Sequence, residues 1–368
     1  LAWGLWIFFA LFIVTLNASQ GFTRTVTHDY IHGALLWFRG QALYNGEGTG
    51  FIYLPHSAII ANLFAHLPFK VSDTLQRIIQ IALLSWSTYR LTQLKSLTSR
   101  TSFLIASIVI IPISFSSANI GQFNLILTAM MLFSVSAIAT EKWWRAGAIL
   151  VIGLMLKPTI IVFLLLCWSL YKPLWWRMLI GIAVMFALPF LTQSPDYVWS
   201  QYQSLIHMLG TASHVGSQLT KWSQFFGMTN AIFGWFPASH IQNTIRVVMA
   251  LVVLSICYLY KHKGKLEPTQ AIFFIYMLAA VYLMLFNPRT ENNDYAILAP
   301  ALAIAFIQAW QNKEKAKAAL ITFFTLGLIF AHQLSIAFIP GQKSWFAPLT
   351  AVSFGVYTLI SDQIEYCK

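Results

Sequence analysis

The chain has 368 residues, of which 58% are hydrophobic and only 9% are charged, and its formal net charge is +12. Soluble domains contain roughly 25% charged residues, so the composition excludes a soluble globular protein and indicates an all-α polytopic membrane protein. Nucleic-acid binding is also excluded, because no basic run alternates with aromatic residues in a polar domain. Basic residues that flank helices on the cytoplasmic side explain the positive charge.

The apolar segments predict about ten full membrane spans, because each approaches the ~20 residues that a bilayer core requires. Alternating the sides places most of the 23 basic residues on the cytoplasmic side, as the positive-inside rule expects. We expect residues 1–368 to form a single integral membrane domain, and we interpret its apolar start as a span rather than a cleaved signal. The predicted spans are 2–16, 74–94, 101–117, 125–140, 178–192, 241–260, 269–286, 295–310, 316–333 and 345–360.

Two longer connections are expected on the outer side of the membrane. The first, 18–73, contains two predicted interfacial helices at 29–38 and 56–67, because apolar residues recur there at helical spacing. Its glycine-rich part around Glu47 is expected to form a mobile loop over the site. The second outer connection, 193–240, is rich in Trp, Ser and Gly and is treated as a loop.

The apolar segment 146–171 is interrupted in its middle by Lys157-Pro158 and has basic residues at both ends. A single span would place one of these basic clusters on the wrong side of the membrane. We therefore predict a re-entrant pair of half-length helices that enters and leaves from the cytoplasm. Irregular backbone at membrane depth is tolerated only against protein or a watery cavity.

Several polar segments are predicted to meet at the outer end of the bundle, which indicates a cavity there. They come from the first outer loop, from the turn before residue 125, from the re-entrant tip and from 287–294. The expected cavity-lining residues are His32, Tyr44, Tyr53, His56, Asn119, Gln122, Asn124, Glu291, Asn293 and Asp294.

The order of short motifs in this chain resembles glycosyltransferase family 87 of the GT-C superfamily. No single motif is decisive, but the ordered set covers residues from about 27 to 300. The matching segments are Asp29-Tyr30, Gly40–Tyr44, Phe51–Pro55, Gly121–Asn124, Lys157-Pro158 and Asn287–Arg289. Some members carry histidines where this chain has Asn292, Asn293 and Asp294, so a histidine contact to phosphate and a mannose specificity are not carried over.

The resemblance implies a GT-C type enzyme that transfers a sugar from a polyprenyl-phosphate donor to an extracytoplasmic glycolipid or glycan acceptor. It also implies inversion at the anomeric carbon, with an acidic residue of the first outer loop as the base, and Asp29 matches that position. The implied location is the bacterial inner membrane, with the active site on the extracytoplasmic face. The implied partners are this donor, the acceptor and membrane lipids, and no cofactor is expected, although a metal ion is not excluded.

The residues themselves suit this chemistry. Glycosyl transfer by inversion needs one base at the acceptor hydroxyl and positive charge at the departing phosphate. Asp29 is the candidate base, and Lys157 and Arg289 are the candidate donor-phosphate ligands. A charge within the membrane is expensive, which makes Lys157 a functional candidate.

Simpler roles remain open for each of these residues. Asp29 could cap a surface helix, Lys157 could bind backbone carbonyls at the Pro158 break, and Arg289 could pair with a neighbouring carboxylate. Gln122 and Asn124 suit hydrogen bonds between helices, and the histidines suit interface anchors. For the whole chain the alternatives are a secondary transporter or lipid flippase, since transporters use broken helices, or a polymerase or ligase of lipid-linked glycans.

Overall fold

The computed structural model describes residues 1–44, 51–212, 222–263 and 267–366, which form helices and turns without any strand. The all-α prediction is therefore confirmed for this part of the chain, and Glu47 lies outside it. The α-helices within it are α1 (Ala2–Ser19), α2 (Thr27–Phe38), α3 (Pro55–Ala65), α4 (Phe69–Thr92), α5 (Ser102–Ile120), α6 (Asn124–Ala139), α7 (Trp143–Leu156), α8 (Ile161–Leu170), α9 (Trp175–Ala187), α10 (Pro195–Ala212), α11 (Phe225–Phe233), α12 (Ser239–Lys263), α13 (Pro268–Phe286), α14 (Ala299–Gln311), α15 (Lys315–Ile329), α16 (Ala331–Phe338) and α17 (Phe346–Tyr366).

Five stretches of the described chain are long and apolar enough to cross a membrane: Ala2–Ser19, Ser102–Ile120, Lys172–Leu191, Ser239–His262 and Pro268–Phe286. A sixth is reached if α15 and α16 are counted as one bent span. Four shorter apolar stretches, which include α6, α7 and the C-terminal helix, accompany them. The chain is therefore a helical membrane protein with several spans, while the number ten stays a prediction.

The most buried helix is α13, in which every side chain from Ala271 to Phe286 is buried. It packs against α6, α8, α12, α14 and α17. We call the end of the bundle near Phe286 the polar end, because the turn 121–124, Lys157 and the loop 287–294 meet there. We call the opposite end, near Gln270 and Asn312, the basic end.

The helix break predicted at Lys157-Pro158 is present. α7 ends at Leu156, and a 3-10 turn, Pro158–Ile160, leads into α8. Proline stops α7 because it lacks an amide donor and its ring clashes with the preceding turn. The far ends of α7 and α8 lie side by side, with the rings of Trp143 and Tyr171 5.8 Å apart. Lys157 is therefore at the tip of a helical hairpin.

The two predicted interfacial helices correspond to α2 and α3, each shifted by one or two residues from the expected bounds. Together with α10 they bury an apolar cluster of their own, next to the main bundle. α10 is bonded to this layer by Gln201 Oε1, which accepts from the Leu43 amide at 2.9 Å, and the segment before α10 by the Trp37 indole, which donates to Thr192 Oγ1 at 3.0 Å.

Two segments differ from their predictions. The connection 193–240, treated as a loop, contains α10 and α11. The predicted span 316–333 ends at Ile329, where the chain bends by 80° before α16. No proline or glycine occupies 329–331, so the sequence gives no local signal for this bend.

Candidate active site

Lys157 joins two distant segments at the polar end. Its ammonium group donates to Asn124 Oδ1 in a short contact and to Asp294 Oδ1 at 3.3 Å. The side chains of Lys157 and Asp294 are 14% and 7% exposed, so their charges attract each other with little screening by water. The helix break is what brings the ammonium group here, since Lys157 follows directly after the last residue of α7.

A chain of hydrogen bonds continues from Asn124 to the loop after α13. Asn124 Nδ2 donates to Gln122 Oε1 at 2.8 Å, and Gln122 Nε2 donates to Glu291 Oε2 at 3.3 Å. Asn293 Nδ2 donates to the same Glu291 oxygen at 2.9 Å. Gln122, Asn124, Lys157, Glu291, Asn293 and Asp294 thus form one connected polar group, which we call the Lys157 network.

The loop 287–294 is held in shape by its own side chains. The Glu291 amide donates to Asp294 Oδ2 at 2.7 Å, which leaves the other Asp294 oxygen for Lys157. Trp222 and Ser223, which precede α11 and which we call the strap, hold this loop from outside. The Ser223 amide donates to the Thr290 carbonyl at 2.7 Å, and the Tyr295 hydroxyl donates to the Ser223 carbonyl at 3.0 Å. The loop that carries Glu291 and Asp294 is therefore fixed by its own side chains and by the strap.

Three aromatic side chains, Tyr30, Tyr53 and Phe123, connect the Lys157 network to α2. The Tyr30 ring stacks on Phe123 with centroids 3.8 Å apart, and the Tyr30 and Tyr53 hydroxyls are 3.0 Å apart. Burial raises the pKa of Tyr53, the charge of Lys157 opposes this rise in pKa, and the charges of Asp294 and Asp29 add to it. The stacked Tyr30 and Phe123 rings thus join α2, which carries Asp29, to the turn that carries Asn124 of the Lys157 network.

Asp29 lies in the first turn of α2 and is half-buried. Among the described residues, none donates a hydrogen bond to its carboxylate. His32, three residues later, is exposed and shares the helix face of Asp29. Asp29 directly precedes Tyr30, whose ring stacks on Phe123 next to the Lys157 network.

Three further predicted cavity residues lie in packed surroundings. Tyr44 is buried and its hydroxyl donates to the Tyr53 carbonyl at 2.7 Å. His56 is fully buried with Nε2 2.8 Å from the Met185 carbonyl, and burial lowers its pKa. Because a carbonyl only accepts, Nε2 carries the proton, and Nδ1 has no hydrogen-bond partner in the part of the chain that the structure describes. Asn119 is buried at the end of α5.

Arg289 lies apart from the hydrogen bonds of the Lys157 network. Its guanidinium carbon is 6.0 Å from the centre of the Trp222 ring, in a cation–π arrangement. Trp222 directly precedes Ser223, so Arg289 faces the strap while Asp294, on the same loop, faces Lys157.

A buried ion pair in α4 was not predicted as part of the site. Asp73 and Arg77 are 2.9 Å apart and their side chains are completely buried. The available signal was the i,i+4 spacing of opposite charges at the start of a helix whose remainder was predicted to cross the membrane.

Two further observations delimit the site. The described residues contain no group of three or more His, Cys, Asp or Glu side chains arranged to hold a metal ion. A cavity of about 140 Å³ lies at the basic end and is lined by residues such as Gln270, Gln308 and Asn312. At 1.5 Å per residue it is about 24 Å along α13 from Phe286, so it is separate from the Lys157 network.

Comparison with known families gives one match. The family model of glycosyltransferase family 87 matches residues 51–288, which include the turn 121–124 and Lys157. Asp29 precedes this range, and Arg289 to Asp294 follow it. No curated protein matches the chain. Because the family model covers more than half of its residues, this chain, with its several membrane helices, belongs to glycosyltransferase family 87.

Proposed function

We propose that this glycosyltransferase moves a sugar from a polyprenyl-phosphate donor to a glycolipid or glycan acceptor on the extracytoplasmic face of the bacterial inner membrane. The enzyme inverts the anomeric carbon, with Asp29 as general base. Lys157 and Arg289 bind the donor phosphate, and the polar residues around them line the site.

The proposed step is a single displacement. The acceptor hydroxyl oxygen attacks the anomeric carbon and forms the new glycosidic bond while Asp29 takes its proton. The bond from the anomeric carbon to the phosphate oxygen breaks, and the polyprenyl phosphate leaves with that electron pair. Because a phosphate leaves as a stable anion, it needs nearby cations rather than the second carboxylic acid of most glycoside hydrolases.

One observation carries this proposal most directly: the ring of Tyr30, the residue after Asp29 in α2, stacks on Phe123 with centroids 3.8 Å apart, and Phe123 directly precedes Asn124, which bonds Lys157. The proposed base and the proposed phosphate ligand are therefore carried by segments in direct contact. The Asp29 carboxylate and the Lys157 ammonium group suit these two roles.

The hairpin of α7 and α8 supports the proposed orientation. We propose that it enters and leaves the membrane from the cytoplasm, because its two ends lie together near Trp143 and Tyr171. Arg177 stacks at the same end, 5.4 Å from the centre of the Trp144 ring, and such basic and aromatic residues are typical of the membrane boundary. The Lys157 tip then faces the outer side.

Asp29→Asn tests the base. We expect sugar transfer from polyprenyl-phosphate sugars to fall by about 100-fold or more, because the amide cannot take the hydroxyl proton. The purified protein is assayed against a panel of radiolabelled polyprenyl-phosphate sugars, with lipid extracts as acceptor. Asp196→Asn is the matched control, since Asp196 likewise lies in the first turn of an outer helix and its side chain is exposed, and it should retain native activity. Full activity of Asp29→Asn would remove the assignment.

The transporter alternative gains one observation from the fold. The bend between α15 and α16 is a second broken helix, and transporters build midplane sites from such breaks. The residue at the break is Phe330, and the nearby His332 is exposed. This second break therefore has no buried charge comparable to Lys157. Uptake of a lipid-linked sugar into proteoliposomes without any glycosylated product would favour the alternative.

A further inference from the structure

We infer that the buried Asp73–Arg77 pair positions the general base, by fixing the chain that leads into α2 against the end of α5. This inference rests on the proposed function of Asp29. Neither residue touches the Lys157 network, so both would act as positioning residues rather than in the chemistry.

The pair is bidentate and completely removed from solvent. Arg77 Nε lies 2.9 Å from Asp73 Oδ2, and Arg77 Nη2 lies 3.2 Å from Asp73 Oδ1. Both side chains are 0% exposed. Two parallel hydrogen bonds of this kind fix the plane of the guanidinium group, which determines where its remaining donors point.

The carboxylate of Asp73 holds the segment before α2. The Thr25 hydroxyl donates to Asp73 Oδ1 at 2.5 Å and Asn17, in the last turn of α1, donates to Oδ2 in a short contact. Thr25 Oγ1 in turn accepts from the Thr27 amide at 3.1 Å. Because Thr27 is the first residue of α2, this chain of contacts determines where the helix that carries Asp29 begins.

The guanidinium group of Arg77 holds the end of α5. Nη1 donates to the carbonyls of Ala118, at 2.5 Å, and Asn119, in a short contact, and Nη2 donates to the Arg24 carbonyl at 3.3 Å. The last carbonyls of a helix lack partners within it, and a cation there is favourable because of the helix dipole. One side chain thus bonds α5 and the segment before α2 at once.

The turn after α5 is shaped around the same pair. Gly121 has φ +73°, and a Cβ on it would lie 3.3 Å from Arg77 Cζ and 3.4 Å from Thr27 Oγ1. Its carbonyl accepts from Gln76 and Gln80 at 3.2 and 3.1 Å. This turn leads directly into Gln122 and Asn124. The pair therefore sets the relative position of the base and of the Lys157 network.

The pair is better explained by the positions that it imposes on its neighbours than by a contribution to the stability of the fold. A buried ion pair is often no more stabilising than well-packed apolar residues of similar size, because both charges lose their hydration. Removing one partner alone leaves an uncompensated charge. Removing both together leaves no unpaired charge in the interior.

The first test is the double variant Asp73→Leu with Arg77→Met. Misplacement of a catalytic group by about 1 Å can cost 10²-fold, so we expect kcat to fall about 10- to 100-fold. The donor KM should change less than about threefold, because no contact with the donor is removed. The control is Ser107→Ala, which removes the hydrogen bond from the Trp6 indole to the Ser107 hydroxyl in the same α5 helix; it should keep both constants.

The second test does not need activity. Arg77→Lys keeps the charge but cannot reach Asp73 and three carbonyls together. We expect hydrogen–deuterium exchange of a peptide covering 24–30 to become at least about tenfold faster, because the Val26 amide bonds the Ile120 carbonyl at 3.1 Å. Peptides of α13 should not change. This readout also decides the question if the double variant does not fold.

The outcomes separate the inference from the proposed function. Native kcat in the double variant, or unchanged exchange over 24–30 in Arg77→Lys, would overturn the positioning role even where Asp29→Asn is inactive. If the native protein transfers no sugar from any polyprenyl-phosphate donor, the proposed function fails instead. In that case faster exchange in Arg77→Lys would still show that the pair fixes the start of α2, but not that it serves a base.

Discussion

Lys157 is the residue for which phosphate binding and ion pairing make different predictions. Lys157→Met leaves the Asp294 carboxylate buried without its cation. Breaking a buried pair from one side costs about 3 kcal/mol, so we expect a lower melting temperature in detergent. Combining it with Asp294→Asn removes both charges and should restore most of this stability. Transfer should stay about 100-fold below native in the double variant, because the departing phosphate loses one of its two proposed cations.

Thermal unfolding and kcat/KM are measured on the same preparations of both variants. Asp294→Asn alone is the control, since it keeps the ammonium group and its bond to Asn124. If transfer returns together with stability in the double variant, Lys157 serves only to hold the loop 287–294.

The sequence indicates which single polar residues belong to the site but not which hydrogen bonds they form with one another. Lys157, Gln122, Asn124, Glu291 and Asp294 were selected because polar side chains are rare in this chain, and the structure brings them together. Their hydrogen bonds span 33 residues, from Lys157 to Asn124, and 169 residues, from Gln122 to Glu291. Such pairings depend on how helices pack, which no local pattern encodes. For the same reason the complete burial of His56 against Met185 was not foreseen.

At the scale of the elements, the break after α7 depends on close packing as well as on Pro158. A Cβ on Gly153 would lie 2.6 Å from Ile160 Cδ1 and 3.4 Å from Met130 Cβ. Gly153→Ala therefore forces the Cδ1 methyl group of the fully buried Ile160, a residue of the turn that follows Lys157, to move. We expect a loss of about 1–3 kcal/mol of stability, typical of overpacking, and reduced transfer.

Ile160→Val provides the matched compensation, since it removes the Cδ1 atom that the new methyl group meets. Alone it should cost about 1 kcal/mol through the small cavity that it leaves. A double-mutant cycle, measured by thermal unfolding, should show that Gly153→Ala costs less in the Ile160→Val background. Simple additivity of the two changes would contradict the proposed contact.

Individual helices could be predicted from the sequence where a long apolar run is bounded by a proline. Pro268 at the start of α13 and Pro158 at the hairpin tip are such signals. α10 and α11 were missed because the connection 193–240 that contains them is rich in Trp, Ser and Gly, a composition that also suits a loop. The bend after Ile329 has no proline or glycine within 329–331 to mark it.

For the whole molecule, the distribution of charge makes the sidedness testable. Basic residues concentrate at the basic end, which the positive-inside rule places in the cytoplasm. We therefore predict that the polar end, with Asp29 and Lys157, faces outward, where a polyprenyl-phosphate sugar would present its head group. Reversing the molecule would expose the proposed base to the cytoplasm and would exclude the extracytoplasmic acceptor.

Single cysteines at exposed positions measure this orientation. Ser194 precedes α10 on the side of the outer helices, and Lys315 starts α15 at the basic end; both are exposed. We expect a membrane-impermeant maleimide to label Ser194→Cys in intact spheroplasts, and Lys315→Cys only after permeabilisation. Cys167 and Cys257 are buried, and the unmodified protein measures any labelling of Cys367. Labelling of Lys315→Cys without permeabilisation would reverse the orientation and would place the proposed chemistry on the cytoplasmic face.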